Sequence, residues 1–285
     1  MQKNLPYVLL VTLLATLPSI LFQLCVNLSQ TSVLHAFVQY QYAEFSLQVI
    51  RRILTTAAQL MNPVVRYLWC IVPVLYLALP FLNIGRMYFT LRLLRGAEAT
   101  PADLLARTGC LLKALWLQIL TFLKVLLWGI PGFAVMLLGS FALVWGASEG
   151  VFTFIYFLGL ALMVVLGMRA NLHYMLAPIF MADVPEKSAW TCLKDSVDMM
   201  RRHVLQLFSL VLSFFLWIFL ADIVVNLVAS LSYGLAMLVN VAANVFITAY
   251  MNTTVCAYYE ERLREKQQAE AAKAFSELEA DGTVV

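Results

Sequence analysis

The chain carries little charge for its length. Only 12% of its 285 residues are Asp, Glu, Lys or Arg, whereas 62% are apolar, and soluble domains have about 25% charged residues. Too little polar surface is therefore available to dissolve a compact fold in water. The composition excludes a soluble globular domain and indicates a protein whose solvent is lipid.

Residues and motifs for common chemistry are also scarce. Three histidines and five cysteines are scattered along the chain without a Cys-x-x-Cys pair, and no zinc-hydrolase, phosphate-loop or dinucleotide-binding motif is present. We therefore expect no catalytic residue, no metal site and no cofactor, and we interpret the cysteines as small core residues. The basic residues flank apolar stretches, which favours a membrane surface over nucleic acid as their partner.

Long apolar stretches alternate with two basic segments, residues 86–113 and 169–202, which hold ten of the nineteen Lys and Arg residues. A helix needs about 20 apolar residues to cross the hydrocarbon core of a bilayer. The pattern predicts an all-α fold, a single transmembrane domain over residues 1–258 with six membrane-spanning helices. The predicted spans are residues 5–28, 63–94, 111–145, 151–181, 204–228 and 233–258.

The distribution of basic residues predicts the orientation. With six spans, each of the two loops on one side carries five Lys or Arg residues, whereas the three loops on the other side carry three, none and none. Because cytoplasmic loops carry the excess of Lys and Arg, the basic loops and both termini are predicted to be cytosolic.

Four segments lie outside the predicted spans. Residues 96–110 and 183–203 are predicted to form cytosolic amphipathic elbow helices at the membrane interface, and residues 28–62 an extra amphipathic helix on the outer side. Residues 259–285 form a charged segment that we interpret as a cytosolic helical tail. The acids of the second elbow could hold a cation or a headgroup, or could cap helices and face water.

Lys124 is the most informative single residue. It lies about 13 residues into its predicted span, and a charge at the centre of a bilayer costs at least ~2.5 kcal/mol. We expect its ammonium to face a partner, with Asp222 as the candidate, or a wet cavity. The alternative is a structural lysine that reaches the interface or an internal carbonyl.

Polar side chains recur along one side of the last predicted span, at Asn240, Asn244, Thr248 and Asn252, and the preceding span contributes Asp222 and Asn226. Unsatisfied amides facing lipid would be costly, so this polar seam is expected to face inward. It is either hydrogen-bonding contact between helices or, together with Lys124, the lining of a polar pathway.

The apolar stretch 111–145 is too long for one span, because as a single helix it would measure about 50 Å against a hydrocarbon core of about 30 Å. Gly129, Pro131 and Gly132 are the predicted break, since proline removes an internal hydrogen bond and glycine weakens a helix.

The sequence around the elbows resembles a known family. The stretches YFTLRLLRGAEATPADLLA (88–106), GIPG (129–132), YMLAPIFMADVPEKSAW (174–190) and AYYEERL (257–263) are similar to bacterial multi-pass membrane proteins catalogued only as a domain of unknown function. That family is distantly similar to the membrane domain attached to some glycerophosphodiester phosphodiesterases. The likeness covers residues 83–263, and its most specific part is the elbow motif with Pro178, Asp183, Pro185 and Trp190.

The resemblance implies six helices in a bacterial cytoplasmic membrane. It gives no information about an activity. Two functional hypotheses remain open. The chain is a non-enzymatic protein that transports or handles a small molecule or amphiphile through the polar seam, or it is a structural or accessory protein that recruits a protein partner through its elbows and tail. The lipid bilayer is the expected partner in both cases, and the oligomeric state is unknown.

Overall fold

The computed structural model describes residues 4–39, 47–146, 148–201 and 203–280, and within them it contains helices and no strand. In chain order the α-helices are α1 Leu5–Gln39, α2 Leu47–Leu60, α3 Pro63–Tyr76, α4 Leu79–Leu94, α5 Leu111–Val144, α6 Glu149–Tyr174, α7 Ala177–Asp183, α8 Ala189–Met200, α9 Val204–Ala229 and α10 Tyr233–Ala280. The predicted all-α class is confirmed.

Within the described residues, five helical segments are long and apolar enough to cross a membrane. They are Leu5–Gln30, Pro101–Val144, Glu149–Asp183, Val204–Ala229 and Tyr233–Lys273. A sixth span is obtained only if Gln48–Leu60 and Val65–Tyr76, which meet at 113°, are counted as one. The predicted second span, residues 63–94, is not continuous, because a turn at Leu77 and Ala78 divides it into α3 and α4.

The packed core lies at one end of the bundle. It combines fully buried side chains from α4, α5, α7, α9 and α10, among them Ile84, Leu117, Met181, Leu207 and Tyr259. At the opposite end the helices are poorly covered, and α9 buries only Leu207 and Phe214 along its whole length. Apolar side chains that stay exposed along most of a helix form the surface expected of a segment that lies in lipid.

Helices α5 and α6 form an antiparallel hairpin whose backbones touch at glycines. A methyl group added to Gly132 would lie 2.5 Å from the Met163 nitrogen, and one added to Gly159 would lie 2.7 Å from the Met136 nitrogen. Small residues allow this close approach of helices, which contributes van der Waals packing that lipid cannot replace.

The predicted break at Gly129, Pro131 and Gly132 is wrong. Helix α5 runs without interruption from Leu111 to Val144 with Pro131 inside it. The missing hydrogen bond of one proline is tolerated in a helix held along its length by a neighbour. Gly132 is needed for contact with α6 and not for a turn.

The segments between the spans also differ from expectation. Residues 96–110 contain two short 3₁₀ turns, Pro101–Leu105 and Thr108–Cys110, in place of an amphipathic α-helix. The predicted outer segment 28–62 divides between the end of α1 and the separate helix α2, and its residues 40–46 lie outside the described part of the chain.

The second elbow contains an α-helix, α8, preceded by the short helix α7. The tail continues α10 without a break as far as Ala280, and residues 281–285 are outside the description.

The glycine contact of the α5–α6 hairpin gives the first prediction. Gly132→Ala should lower the free energy of unfolding by about 2 kcal/mol, because the added methyl group overlaps the Met163 backbone and forces the two helices apart. The measurement is thermal unfolding of the purified protein in detergent, followed by circular dichroism.

Gly167→Ala is the matched control for this prediction. Gly167 lies in α6 with no atom within 4 Å of an added methyl group, so alanine should stabilise the helix by up to ~1 kcal/mol. Equal midpoints for both variants would contradict the proposed role of Gly132.

Candidate functional site

Arg95 joins three parts of the chain at the packed end of the bundle. Its guanidinium donates to Asp183 at 2.6 Å and to Glu260 at 2.7 Å, and the hydroxyl of Tyr259 donates to the other oxygen of Asp183 at 3.0 Å. The hydrogen bond to Asp183 raises the pKa of Arg95 above its ordinary value, desolvation opposes this, and Glu260 adds to it. We call these four residues the Arg95 clamp, and it connects the end of α4 to α7 and to α10.

The elbow motif is positioned around this clamp. Pro178 lies in the first turn of α7, where a proline needs no amide partner. The carbonyl of Pro185 accepts a hydrogen bond from Lys113 Nζ at 2.9 Å, which ties the elbow to the start of α5. Ser188 caps α8 by accepting from the amide of Thr191. Pro178, Asp183 and Pro185 therefore hold the elbow in place.

The remaining acids of the second elbow do not converge. Asp195 accepts from Lys187 at 2.6 Å, while Glu186 and Asp198 are exposed. The arrangement fits helix capping and solvation better than cation binding. Among the described residues, no group of three His, Cys, Asp or Glu side chains could hold a metal ion.

The depth of Lys124 depends on which part of the long helix α5 lies in the hydrocarbon core. The pairing of Gly132 with Met163, continued by eight residues along both helices, places Lys124 opposite Asn171 near the end of α6. From Lys124 to Val144 the helix rises by about 30 Å, which is the thickness of a hydrocarbon core. A hydrocarbon core that begins at Val144 therefore ends close to Lys124.

The partner of Lys124 is the indole of Trp190. The ammonium lies 4.4 Å from the centre of the Trp190 ring, a cation–π contact between α5 and α8. Asp222, the partner proposed from the sequence, is exposed on α9. The sequence-based estimate placed Lys124 at mid-depth because it counted about 13 residues from the start of the predicted span at residue 111.

Two grooves flank the Lys124–Trp190 contact. One, of about 390 Å³, has an apolar wall built by leucines of α5, Trp190 and the stem of Lys124. The other, of about 400 Å³, is lined by Tyr174, Leu193, Lys194 and Val197 together with the same Lys124 and Trp190. A cation and an amphipathic ring thus separate an apolar groove from a more polar one. We call this arrangement the Lys124 site.

The predicted polar seam is only partly directed into the bundle. Asn244 Nδ2 donates to the Asn240 carbonyl at 2.9 Å and side-chain oxygen at 2.6 Å, and Asn226 Nδ2 donates to the Asp222 carbonyl at 2.8 Å. These amides are satisfied within their own helices, and Asn226 and Asn244 are exposed. Thr248 is half-buried beside them.

Asn252 is the seam residue that joins two helices. Its amide donates to the hydroxyl of Thr90 at 2.9 Å, and both residues are buried between α10 and α4. One turn away, the buried Arg86 donates to Asn83 at 2.8 Å, while its Nε has no hydrogen-bond partner. The structure therefore divides the candidate pathway residues, with Lys124 beside α8 and Asn252 inside the α4–α10 contact.

The chain does contain one Gly-x-Ser-x-Gly spacing, at residues 146–150. In hydrolases this spacing places a nucleophile on a turn between a strand and a helix. Here it joins two helices, and Ser148 is the residue before α6, with extended backbone angles typical of a helix N-cap. Gly146 adopts a positive φ of 85°, which glycine tolerates and which ends α5. The spacing is a helix–helix turn.

Four of the five cysteines lie in the core as expected, and Cys70 does not. Cys25, Cys110, Cys192 and Cys256 are buried and Cys70 is exposed, and all five are free thiols. Burial raises the pKa of the Cys192 thiol to about 11, so that it stays protonated at neutral pH.

The Arg95 clamp gives the second prediction. Arg95→Met should lower the free energy of unfolding by ~2 kcal/mol, because it leaves Asp183 and Glu260, which are 14% and 13% exposed, without their shared cation. The measurement is the thermal midpoint in detergent at low and high salt.

Lys266→Met is the control, since it removes an exposed ion pair of 4.0 Å with Glu270 and should change stability by less than ~0.5 kcal/mol. If both variants unfolded at the temperature of the parent protein, the clamp would not hold the elbow.

Long apolar helices, exposed over most of their length and packed together at one end, are those of a multi-helix membrane protein. The chain belongs to the family described as "Protein of unknown function (DUF975)", whose model matches residues 25–267. The matched region confirms the resemblance to an uncharacterised family and extends it from residue 83 back into α1. No curated protein and no solved structure matches the chain.

Proposed function

We propose that this protein binds an anionic amphiphile at the inner boundary of the membrane, at the Lys124 site. The observation that carries the proposal is the contact between the Lys124 ammonium and Trp190, with one groove on each side. The proposal is a refined form of the amphiphile-handling hypothesis and involves no catalytic step.

The charges at the site favour an anionic headgroup. Lys124 and Lys194 line the more polar groove, and no ion pair engages either ammonium within the described residues. The nearest acid in sequence, Asp195, is already occupied by Lys187. A phosphate or carboxylate in this groove would meet two cations without having to displace an acid.

The apolar groove supplies the second half of the recognition. Its wall consists of Leu120, Leu123, Leu126 and Leu127 with Trp190 and the Lys124 side chain. Burial of apolar ligand surface there is favourable by about 25 cal/mol per Å². A ligand with a charged head and an apolar chain can use both grooves at once, whereas a small hydrophilic solute can use only one.

The location we propose is the cytoplasmic leaflet of a bacterial inner membrane, with both termini in the cytosol. In support, the start of α1, the elbows and the beginning of the tail all lie at the packed end, where Leu5 shares a groove with Leu93 and Thr253. The same end carries the described basic residues of the two clustered segments, and basic loops face the cytosol. The distant likeness that we propose from the sequence, to the membrane domain attached to some glycerophosphodiester phosphodiesterases, would be compatible with a lipid-facing role.

A second candidate function is recruitment of a protein partner by the tail. The observation that favours it is the continuation of α10 beyond the core, where residues 264–273 are exposed and strongly charged. The tail is a separate element from the Lys124 site, so removal of residues 264–285 is expected to leave amphiphile binding intact.

The third prediction tests the Lys124 site through fluorescence of Trp190. In a variant that retains Trp190 and has phenylalanine at the other five tryptophans, reconstituted in nanodiscs, brominated phosphatidylglycerol should quench more strongly than brominated phosphatidylcholine. A charge-pairing free energy of ~1 kcal/mol corresponds to an approximately fivefold preference for the anionic lipid.

The control variants decide the origin of that preference. Lys124→Gln with Lys194→Gln should abolish it, whereas Arg264→Gln with Lys266→Gln removes the same charge from the tail and should leave it unchanged. Equal quenching by the two lipids in the parent, or a preference that survives the first pair of substitutions, would contradict the proposal.

A further inference from the structure

A larger cleft lies between α6 and α9, apart from the Lys124 site. Its volume is about 550 Å³, and its basic residues are Arg169 near the end of α6 and Arg201 just before α9. The rest of the wall is apolar and includes Val165, Met168, Leu205 and Phe208. None of these residues was a candidate from the sequence.

The two arginines of the cleft are not engaged by protein acids. Within the described residues, no hydrogen bond or ion pair involves either guanidinium, and no acid lines the cleft. Asp198, one turn before Arg201 in α8, is exposed and forms no ion pair with it. By contrast, Arg92 is bound to Asp103 and Arg95 to Asp183. Arg169 and Arg201 therefore have their donors available for another anion.

The cleft is at the right depth for a lipid headgroup. Arg169 is two residues from Asn171, which lies opposite Lys124 in the α5–α6 hairpin, so both cationic sites are near the same boundary of the hydrocarbon core. Val165 lies one helical turn from Arg169, towards the apolar part of α6. Phe208 lies one helical turn into α9 from its start, towards the apolar part of that helix. The cleft thus has a cationic end at the interface and an apolar end in the lipid.

We propose that the α6–α9 cleft is a binding site for an anionic phospholipid of the inner leaflet, with the phosphate held by Arg169 and Arg201 and one acyl chain along Leu205 and Phe208. One guanidinium can donate two parallel hydrogen bonds to two oxygens of a phosphate, whereas an ammonium group acts as a single point charge. A zwitterionic lipid would bring its own cation towards two arginines and is disfavoured. Basic pockets between membrane helices on the cytoplasmic side are sites of this kind.

This site is separate from the Lys124 site and does not rest on it. Trp190 and Arg201 are eleven residues apart at opposite ends of α8, about 16 Å along a helix. Each site also has its own pair of cations, so substitutions in one leave the other unchanged.

The fourth prediction places a photoreactive probe at the open edge of the cleft. Leu205 is 81% exposed and lines the cleft, so benzoylphenylalanine at position 205 of the full-length protein in nanodiscs should crosslink to radiolabelled phosphatidylglycerol. We expect crosslinking to exceed that of phosphatidylcholine by about thirtyfold, as two interfacial cations would give. Phe219, exposed on nearly the same side of α9 but farther from the cleft, is the control position and should show no preference.

Substitution of the arginines completes the test. R169Q with R201Q should reduce the preference at position 205 to that at position 219, whereas R264Q with K266Q should retain it. The single variants R169Q and R201Q, both at exposed positions, make the same test with less change to the cleft, and each should lose part of the preference. Equal crosslinking of the two lipids at position 205, or a preference unaffected by loss of the arginines, would overturn the proposal. Neither outcome would change the interpretation of the Trp190 quenching experiment, which tests the Lys124 site.

Discussion

The Arg95 clamp is the interaction on which the rest of the structure depends. It joins residues 88 and 165 positions apart in the chain, and it lies where α4, α7 and α10 meet. Because Asp183 and Glu260 are largely buried, their charges require a cation at this position. The clamp therefore fixes the elbow against the helical bundle, and α8, which follows the elbow, brings Trp190 to Lys124 and Arg201 to the α6–α9 cleft.

A core confined to one end has a consequence for the spans. Water drives apolar side chains together at the packed end, but within lipid the same side chains gain nothing by leaving their solvent. Helices there stay together only where shape allows close contact, as at Gly132 and Gly159. Elsewhere the gaps between helices open sideways into the bilayer, and a ligand that is itself an amphiphile can enter from the membrane without a central pathway.

The sequence predicted the class of fold well because hydropathy and charge are local signals. Apolar length and the two basic segments suffice to find most of the spans. Contacts between distant residues were less accessible. Asp222 was the candidate partner of Lys124 because the sequence does not show which helix lies beside this part of α5, and the structure brings Trp190 of α8 to the ammonium. The Arg95 clamp had no local signal, since Glu260 belongs to a tail that was expected to lie apart from the bundle.

Two sets of basic residues, in and near the two basic segments, differ in their partners in a way that the sequence alone does not show. Arg92, Arg95 and Lys187 are held by acids, and Lys113 by a carbonyl, so their charge is used to position the elbows. Lys124, Lys194, Arg169 and Arg201 face grooves without an acidic partner in the described part of the chain. Orientation by the positive-inside rule requires only the number of cations, and the first set with the exposed tail already provides many. Four further cations without an acidic partner, each lining a groove that also has apolar walls, are more than orientation needs, and they suit the headgroups of anionic lipids.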